Sequence, residues 1–333
     1  MTHVIALFNN KGGVGKTTLA YHLAHMVSRK GFPTLAVDLD PQANLTSAFF
    51  DDDTLAALWE TGQPTTLRDA IDPLLRGIGD VVLPPAQIVA DGLSVLPGDL
   101  GLSNFEDNLS DAWPRGYEGS EAALRTTTAF HRIVQGTAEK TGAEVVFLDV
   151  GPNLGAINRA ALLGADHIVI PLAADLFSLR GLTNVGPVLR QWRSNWQDNV
   201  LPKVAGLDLD VPQGVMDPLG YVVLQHAVRL DRPVKAYDRF LTRIPEAFAS
   251  SILDQAGGDE HSTQDDPYCL ASLRNYRSLM PLAQDARKPM FDLRAADGAL
   301  GSTARLVTIC FNEFEALADA VLEHAGLAAS PLE

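Results

Sequence analysis

Short apolar runs alternate with amphipathic stretches along almost the whole chain. Continuous apolar runs that alternate with helical patterns are typical of a parallel sheet covered on both faces. We therefore predict a doubly wound α/β fold, in which a mostly parallel sheet is flanked by helices. The runs that we interpret as strands are His3–Phe8, Thr34–Asp38, Leu93–Pro97, Val145–Asp149, His167–Pro171, Tyr221–Gln225 and Tyr268–Leu273.

The amphipathic stretches repeat their apolar residues at the spacing of successive helical turns. The first predicted helix follows a glycine-rich loop and ends near Arg29. Such helices supply the crossover connections that parallel strands require. The other predicted helices are Ser120–Thr141, Ala156–Leu163, Leu179–Trp196, Val234–Gln255 and Thr303–His324.

Three stretches interrupt the alternation, and we interpret them as insertions in a single domain spanning residues 1–333. The stretch Asp51–Ala90 has weak helical patterns and two adjacent prolines. The stretch Asn104–Gly119 is rich in Asp, Asn, Gly and Trp, and we predict a surface segment there. The third, Gly257–Asp266, is a polar loop.

Composition indicates an ordinary globular protein, with 46% hydrophobic and 20% charged residues. Its cysteines, Cys269 and Cys310, lie in apolar surroundings and are interpreted as packed side chains, not as metal or redox groups. No segment approaches the ~20 apolar residues that span a bilayer. The predicted C-terminal helix is acidic, whereas membrane-binding amphipathic helices are basic. With no room for a cleavable signal before the first strand, we expect a cytoplasmic protein that does not bind membranes.

The segment from Asn9 to Thr18 lies between the first strand and the first helix, as a phosphate-binding loop does. Its glycines let successive N–H groups face one anion, and the helix N-terminus adds partial positive charge. Lys16 would neutralise the β- and γ-phosphates of a nucleotide, and the Thr17 hydroxyl would face Mg²⁺. A plain glycine turn would account for the glycines but not for the Lys-Thr-Thr that follows them.

The loop departs from the standard phosphate-binding pattern, because Asn10 stands where glycine is usual and Lys11 follows it. In this form Lys11–Thr18 resembles the deviant Walker A loop of the ParA/MinD family of partitioning and positioning ATPases. Two further segments agree with that family in order and spacing. Val37–Asn44 resembles its second motif, and Val145–Asp149 resembles its Walker B strand. The resemblance implies a P-loop NTPase of the deviant Walker A type.

The resemblance also implies a role for each matching residue. Lys11 matches the signature lysine that reaches the partner's phosphates in a nucleotide-sandwich dimer, and Lys16 and Asp40 match catalytic residues. Asp40 is the match for the carboxylate that orients the attacking water. Residues implied to surround Mg²⁺ are Thr17, Asp38 and Asp149, and those implied to bind ATP are Gly12, Gly13, Val14, Gly15, Lys16, Thr17, Thr18 and Gln225. An aspartate at a strand end can instead cap the following turn.

Adenine is expected against loops at the carboxyl ends of the later strands. Gln225 ends one such strand, where the family often has an amide or hydroxyl residue facing the base. Leu273–Tyr276 follows the next strand, where the family has its second base-contacting loop. Here the family's usual Ile-Pro-Arg is replaced by Leu-Arg-Asn.

The chain is acidic overall, with a net charge of −15, which excludes a general nucleic-acid-binding coat. One segment of the C-terminal third is nevertheless basic. In ParA-like proteins, basic residues of the C-terminal half bind DNA without sequence preference, through its phosphates. A solvated helix face would account for the same residues. They are Arg229, Arg232, Lys235, Arg239 and Arg243.

The phosphate-binding loop predicts that the protein uses ATP and Mg²⁺, and the resemblance implies an ATP-hydrolysing dimerisation switch that positions or partitions a DNA or protein cargo. The resemblance implies a homodimer in the ATP state, non-specific DNA binding, and a ParB-like or other activating protein as partner. The alternative is an ATP-dependent metabolic ligase of the same fold, similar to dethiobiotin synthetase or to cobyrinic-acid-amidating enzymes. Such ligases do not require a lysine at position 11. An iron–sulfur ATPase is disfavoured because both cysteines come too late in the chain.

Overall fold

The computed structural model describes residues 2–60, 62–224, 239–255, 263, 265–276 and 278–327. Gln225 lies outside these residues, as do three members of the basic segment: Arg229, Arg232 and Lys235. Most of the predicted polar loop Gly257–Asp266 also lies outside them. The predictions made for those positions therefore stay predictions.

Eight strands form one sheet in the described part of the chain. They are β1 His3–Leu7, β2 Thr34–Asp38, β3 Gln87–Ala90, β4 Leu93–Leu96, β5 Val145–Asp149, β6 His167–Ala173, β7 Asp217–Leu224 and β8 Cys269–Leu273. Their order across the sheet is β3-β4-β2-β5-β1-β6-β7-β8. Every neighbouring pair is parallel except β3 with β4, which is antiparallel. The predicted mostly parallel α/β fold is confirmed.

Helices in the described part of the chain cover both faces of this sheet. They are α1 Lys16–Arg29, α2 Asn44–Phe49, α3 Asp52–Glu60, α4 Leu67–Leu75, α5 Phe105–Tyr117, α6 Glu121–Thr127, α7 Ala129–Thr141, α8 Ala156–Leu163, α9 Leu176–Asn199, α10 Leu201–Val204, α11 Ile244–Ser251, α12 Leu279–Ala286 and α13 Ser302–His324. Alternate residues of β1 enter two separate cores, with Val4 and Ala6 in one and Ile5 and Leu7 in the other. Helices α5, α7, α8 and α9 pack in the first core, and α1 and α13 pack in the second.

Strand register brings the three sequence motifs to one edge of the sheet. Asp149 at the end of β5 lies opposite Leu7 at the end of β1 and opposite Asp38 at the end of β2. The phosphate-binding loop follows β1, and the second motif follows β2. Because parallel strands end at the same edge, all three motifs face one site.

Helix α5 differs from the surface segment expected at Asn104–Gly119. Its apolar residues Phe105, Leu109 and Trp113 recur every four residues and are buried in the first core. The four-residue spacing of apolar residues therefore predicts this helix better than the polar composition, which suggested a loop. The helix predicted at Ser120–Thr141 is also interrupted, because α6 ends and α7 begins around Thr128.

Among the described residues, no helix combines the length and apolar character needed to cross a membrane. Both cysteines are free, with Cys310 buried and Cys269 partly buried, as expected for packed side chains.

Candidate functional site

The phosphate-binding loop has backbone geometry that glycine alone adopts easily. Gly13 and Gly15 have φ angles of 70° and 89°, in the left-handed region where a Cβ atom is strained. A Cβ atom on Gly15 would also lie 2.8 Å from a methyl carbon of Leu224 at the end of β7. The loop conformation therefore depends on these glycines, and it leaves the N-terminus of α1 open to an anion.

Lys16 is a buried cation at the start of α1. Its Nζ atom donates a hydrogen bond to the backbone oxygen of Asn9, at 3.2 Å. Burial lowers the pKa of Lys16, and the nearby carboxylates of Asp149 and Asp40 act in the opposite direction. The side chain is thus held along the loop, where it would meet the phosphates of a bound nucleotide.

Asp38 is fully buried and bonded to the start of α2. Its Oδ2 accepts hydrogen bonds from the backbone N and the hydroxyl of Thr46, at 2.8 and 2.7 Å. Burial raises its pKa to about 6, although the bonds from Thr46 work against that rise. The capping role that a strand-end aspartate can have is therefore present at Asp38.

Asp149 is buried with weaker contacts. Among the described residues, neither of its carboxylate oxygens has a hydrogen-bond partner of regular geometry. Burial, and then the charge of Asp38, raise the pKa of Asp149 well above its ordinary value, while the Thr17 hydroxyl and Lys16 act to lower it. A buried carboxylate that lacks a partner of regular geometry is costly and calls for an explanation. Carboxylate and hydroxyl oxygens suit Mg²⁺, so Asp149 and Thr17 fit the cation that the resemblance implies.

Asp40 lies beside this pair but faces the open cavity. Its Oδ1 accepts a hydrogen bond from the backbone N of Gln42, at 3.0 Å. The residue also lies close to Gly151, in the segment that follows β5. The carboxylate therefore borders the cavity next to the phosphate-binding loop.

Lys11 lies at the start of the loop and does not line the cavity beside it. Its Nζ atom forms an ion pair with Asp175 at 2.5 Å and lies 6.0 Å from the centre of the Phe177 ring. Asp175 also caps α9, by accepting a hydrogen bond from the backbone N of Ser178 at 2.8 Å. Burial acts to raise the pKa of Asp175. The hydrogen bonds from Lys11 and Ser178 outweigh burial and hold that pKa below its ordinary value.

A cavity of about 780 Å³ adjoins the phosphate-binding loop. Seven of the predicted site residues line it: Gly12, Gly13, Gly15, Lys16, Thr17, Thr18 and Asp40. Val14, Asp38 and Asp149 are buried behind the lining, and Lys11 lies outside it. One face of α12 also lines the cavity, although the sequence did not point to that helix.

The predicted base-contacting segment Leu273–Tyr276 is not among the described residues that line the cavity. Tyr276 is instead buried in the second core, and its hydroxyl donates to Glu313 at 2.6 Å. Arg274 forms an ion pair with the same glutamate, also at 2.6 Å. These contacts hold that segment against α13.

Glu106 also contributes to the site, although the sequence did not indicate it. From α5 it accepts hydrogen bonds from the backbone N atoms of Ala156 and Ile157, at 2.5 and 3.0 Å. Asn158 donates to the backbone oxygen of Gly151 at 2.8 Å. Together they fix the segment between β5 and α8, beside Asp149. A side chain 50 positions away in the chain leaves no local signal of this contact.

A model of the family described as "AAA domain" matches residues 2–201, which include all three motifs. This chain belongs to that family. One relative of this chain is the chromosome partitioning protein ParA of Caulobacter vibrioides. The prediction of a ParA/MinD-like ATPase is therefore confirmed. The two are 30% identical over 194 residues, which is 58% of this chain and 64% of that ParA. The matched region is thus less than two thirds of the relative's length.

Solved structures share the fold of this AAA domain protein over at least 74% of its length. Protein DIP2308 of Corynebacterium diphtheriae is 23% identical with a TM-score of 0.70, over 97% of this chain and 98% of that one. McdA of Cyanothece, in complex with ATP, is 15% identical with a TM-score of 0.64, over 99% of both chains. Cobyrinic acid a,c-diamide synthase of Mycobacterium smegmatis, with ADP and magnesium, is 24% identical with a TM-score of 0.52, over 74% of this chain and 82% of that one. These likenesses show the fold.

Proposed function

We propose that this ATPase binds ATP with Mg²⁺ at the phosphate-binding loop and hydrolyses it as a dimerisation switch. The observation that carries the proposal is the position of Lys11. This lysine pairs with Asp175 and does not line the cavity beside its own phosphate-binding loop. A lysine so placed can reach a nucleotide held by a second copy of the chain.

The loop residues divide the work of holding the nucleotide. Backbone N–H groups of Gly12–Gly15 and the side chain of Lys16 would hold the β- and γ-phosphates, with Thr18 at the next position of α1. Thr17 and Asp149 would hold Mg²⁺, with Asp38 behind them. The ion would supply positive charge that offsets the negative charge of the phosphates.

Asp40 would orient the attacking water. In-line phosphoryl transfer depends on positioning and charge neutralisation more than on covalent help from the protein. Asp40 borders the cavity and lies close enough to Lys16 for its charge to act on that lysine. Lys11 from the partner copy would then complete the site, so hydrolysis would depend on dimer formation.

The surface beside Lys11 supports pairing with a second copy. Leu176 and Phe177 begin α9 and are 46% and 75% exposed. Large apolar side chains exposed next to a charged pair are common at interfaces that form and separate. On closing, Lys11 would exchange Asp175 for the phosphates of the partner's nucleotide.

We further propose a cytoplasmic single-domain protein whose ATP dimer positions or partitions a cargo by binding DNA without sequence preference. Arg239 and Arg243 are exposed, which is what phosphate contacts require. A ParB-like or other activating protein would stimulate hydrolysis. The name of the relative ParA supports the partitioning role.

The rival proposal is an ATP-dependent metabolic ligase, since cobyrinic acid a,c-diamide synthase shares the fold. A ligase must bind a second substrate next to the γ-phosphate but has no need for Lys11. The two proposals therefore differ in what removal of Lys11 should do.

Light scattering tests the switch. We expect the Asp40→Ala variant to be a monomer with ADP and a dimer with ATP, because slow hydrolysis preserves the triphosphate. Loss of the water-orienting carboxylate should lower the turnover rate by ~10²-fold or more. Adding Lys11→Ala should leave ATP bound to a monomer.

Lys140→Ala provides a matched control, because Lys140 is an exposed lysine on α7. It should dimerise with ATP like the parent protein. A mass that is the same with ADP and ATP, or full turnover by a Lys11→Ala monomer, would refute the switch and favour the ligase.

A further inference from the structure

The part of the cavity beyond the phosphate-binding loop is bounded by one face of α12. Its lining residues on this helix are Met280, Ala283 and Gln284, and Arg287 follows at the C-terminal end. These positions recur at the three- and four-residue spacing that puts side chains on one helix face. We call this set the α12 face. The roles proposed above for the loop involve none of its members.

The opposite wall of the cavity comes from α1 and α2. Tyr21 follows Thr18 by one turn on α1, and Ser47 and Ala48 lie on α2. The Tyr21 ring is buried against Phe49, with ring centres 4.6 Å apart. The two walls thus combine apolar carbon with a few polar groups, which is the usual lining of a small-molecule site.

Arg287 joins the two walls. It caps the C-terminus of α12, and its Nε donates to the backbone oxygen of Phe50, directly after α2, at 3.2 Å. Its φ angle is 48°, the left-handed conformation in which many helices end. The bond from its side chain links the end of α12 to the end of α2.

The same cavity continues from the phosphate-binding loop to this space. With the β- and γ-phosphates next to Lys16 and Thr17, the remainder of the cavity offers room for the ribose and base. The cavity volume of about 780 Å³ is within the range of sites that enclose a whole small ligand. The base would then lie between the α12 face and the residues of α1 and α2.

Gln284 has the chemistry to recognise one base edge. Its side chain is exposed in the cavity and forms no hydrogen bond in the described part of the chain. A carboxamide presents one donor and one acceptor side by side. Adenine offers the complementary pair at N6 and N7, whereas guanine offers two acceptors at O6 and N7. An amide here therefore favours adenine.

We propose that the α12 face binds the nucleoside, and that Gln284 distinguishes adenine from guanine. This inference rests on the proposed binding of a triphosphate at the loop and adds the base-recognising residue. Met280 and Ala283 would contact the flat face of the base, and Ala48 would lie across from them.

Calorimetry with three probes tests the inference: ATP, GTP and inorganic tripolyphosphate, each with Mg²⁺. In Gln284→Ala, the affinity for ATP should fall about tenfold, as expected for lost hydrogen bonds to a base. The preference for ATP over GTP should shrink by a similar factor. Affinity for tripolyphosphate should stay unchanged, because the probe contacts only the loop.

Asp285→Ala is the matched control. Asp285 is the exposed neighbour of Gln284 on α12 and does not line the cavity. It should leave all three affinities at their original values.

Two results would overturn the inference, and they are distinguishable. If Gln284→Ala keeps the original affinities for ATP and GTP, the base lies elsewhere, and triphosphate binding at the loop still stands. If the unaltered protein binds neither ATP nor tripolyphosphate, the proposed function fails and the nucleoside site fails with it.

Discussion

Lys16 is surrounded by charge of the opposite sign, and this determines what its removal should do. Asp149 and Asp40 both act on it electrostatically. In Lys16→Ala these carboxylates would face the incoming phosphates without a cation between them. We expect ATP affinity to fall about 100-fold or more, the range seen when one member of a buried charge pair is removed.

Calorimetry measures this loss directly. Lys140→Ala again serves as a control that removes an exposed lysine from a helix of the first core. Unchanged ATP affinity in Lys16→Ala would mean that the loop does not hold a triphosphate in the proposed way.

Single residues of the site differ in how far the sequence could predict them. The glycines, Lys16 and Asp149 lie within short continuous motifs. The residue types and spacing of those motifs were enough to predict that they meet at one site. Asp175 and the α12 face are different. Asp175 pairs with Lys11 across 164 positions, and only the folded sheet brings β1 and β6 side by side. No local pattern records such a contact.

Among the elements, α1 contains two buried histidines that make stability depend on pH. Burial is the main cause that lowers the pKa of His22 to about 4 and that of His25 to about 3. Asp292 partly opposes the shift at His22, while His22 and Arg29 add to the shift at His25. An unfolded chain would protonate both near pH 6.5.

The sign of the effect follows from proton uptake. Between pH 6.5 and about 4 the unfolded state binds protons that the folded state does not, so the free energy of unfolding falls as the pH falls. Each histidine should account for a loss of about 2 kcal/mol between pH 7 and pH 5. Stability is fully present above pH 6.5.

His25→Phe isolates one of these contributions. The ring lies between Tyr21 and Phe49, with centres 4.7 and 5.4 Å away, so phenylalanine fits the same packing. Urea unfolding at pH 7 and pH 5 should show about half of the original pH dependence that the two histidines cause. An undiminished pH dependence in the variant would rule out His25 as a source.

Elements with strong apolar patterns were predicted to within a few residues, and weakly patterned ones were not. Strand β5 has the predicted bounds, because its residues are buried on both faces. Strand β3 was missed: it has four residues, forms the sheet edge and leaves Ile88 84% exposed. Pairing with β4 creates that strand, and pairing is not visible in a local pattern.

At the scale of the whole molecule, the net charge of −15 opposes the proposed binding to DNA, which is also negatively charged. Arg239 and Arg243 are the described members of the basic segment, and both are exposed. Changing both to Glu should lower ATP-dependent DNA binding, and it should reduce the salt dependence by ~1 phosphate contact for each arginine that touches DNA. Dimer formation should be unaffected.

Fluorescence anisotropy of labelled duplex DNA, at several salt concentrations, measures both quantities. Arg76→Glu reverses an exposed arginine at the end of α4, far along the chain from the basic segment, and should bind DNA like the original protein. Original protein that ignores DNA in its ATP state would remove DNA from the proposed function and leave a protein cargo.

The buried carboxylate of Asp149 has a consequence for how long the protein survives in a cell. Burial of such a group costs the folded state free energy, and a ligand that binds only the folded state adds stability that rises with the ligand concentration. We expect cells depleted of nucleotide to degrade this protein faster, because proteases act on chains that open. Pulse proteolysis with and without Mg·ATP would measure the difference, and equal cleavage would contradict it. Abundance would then follow the energy state of the cell.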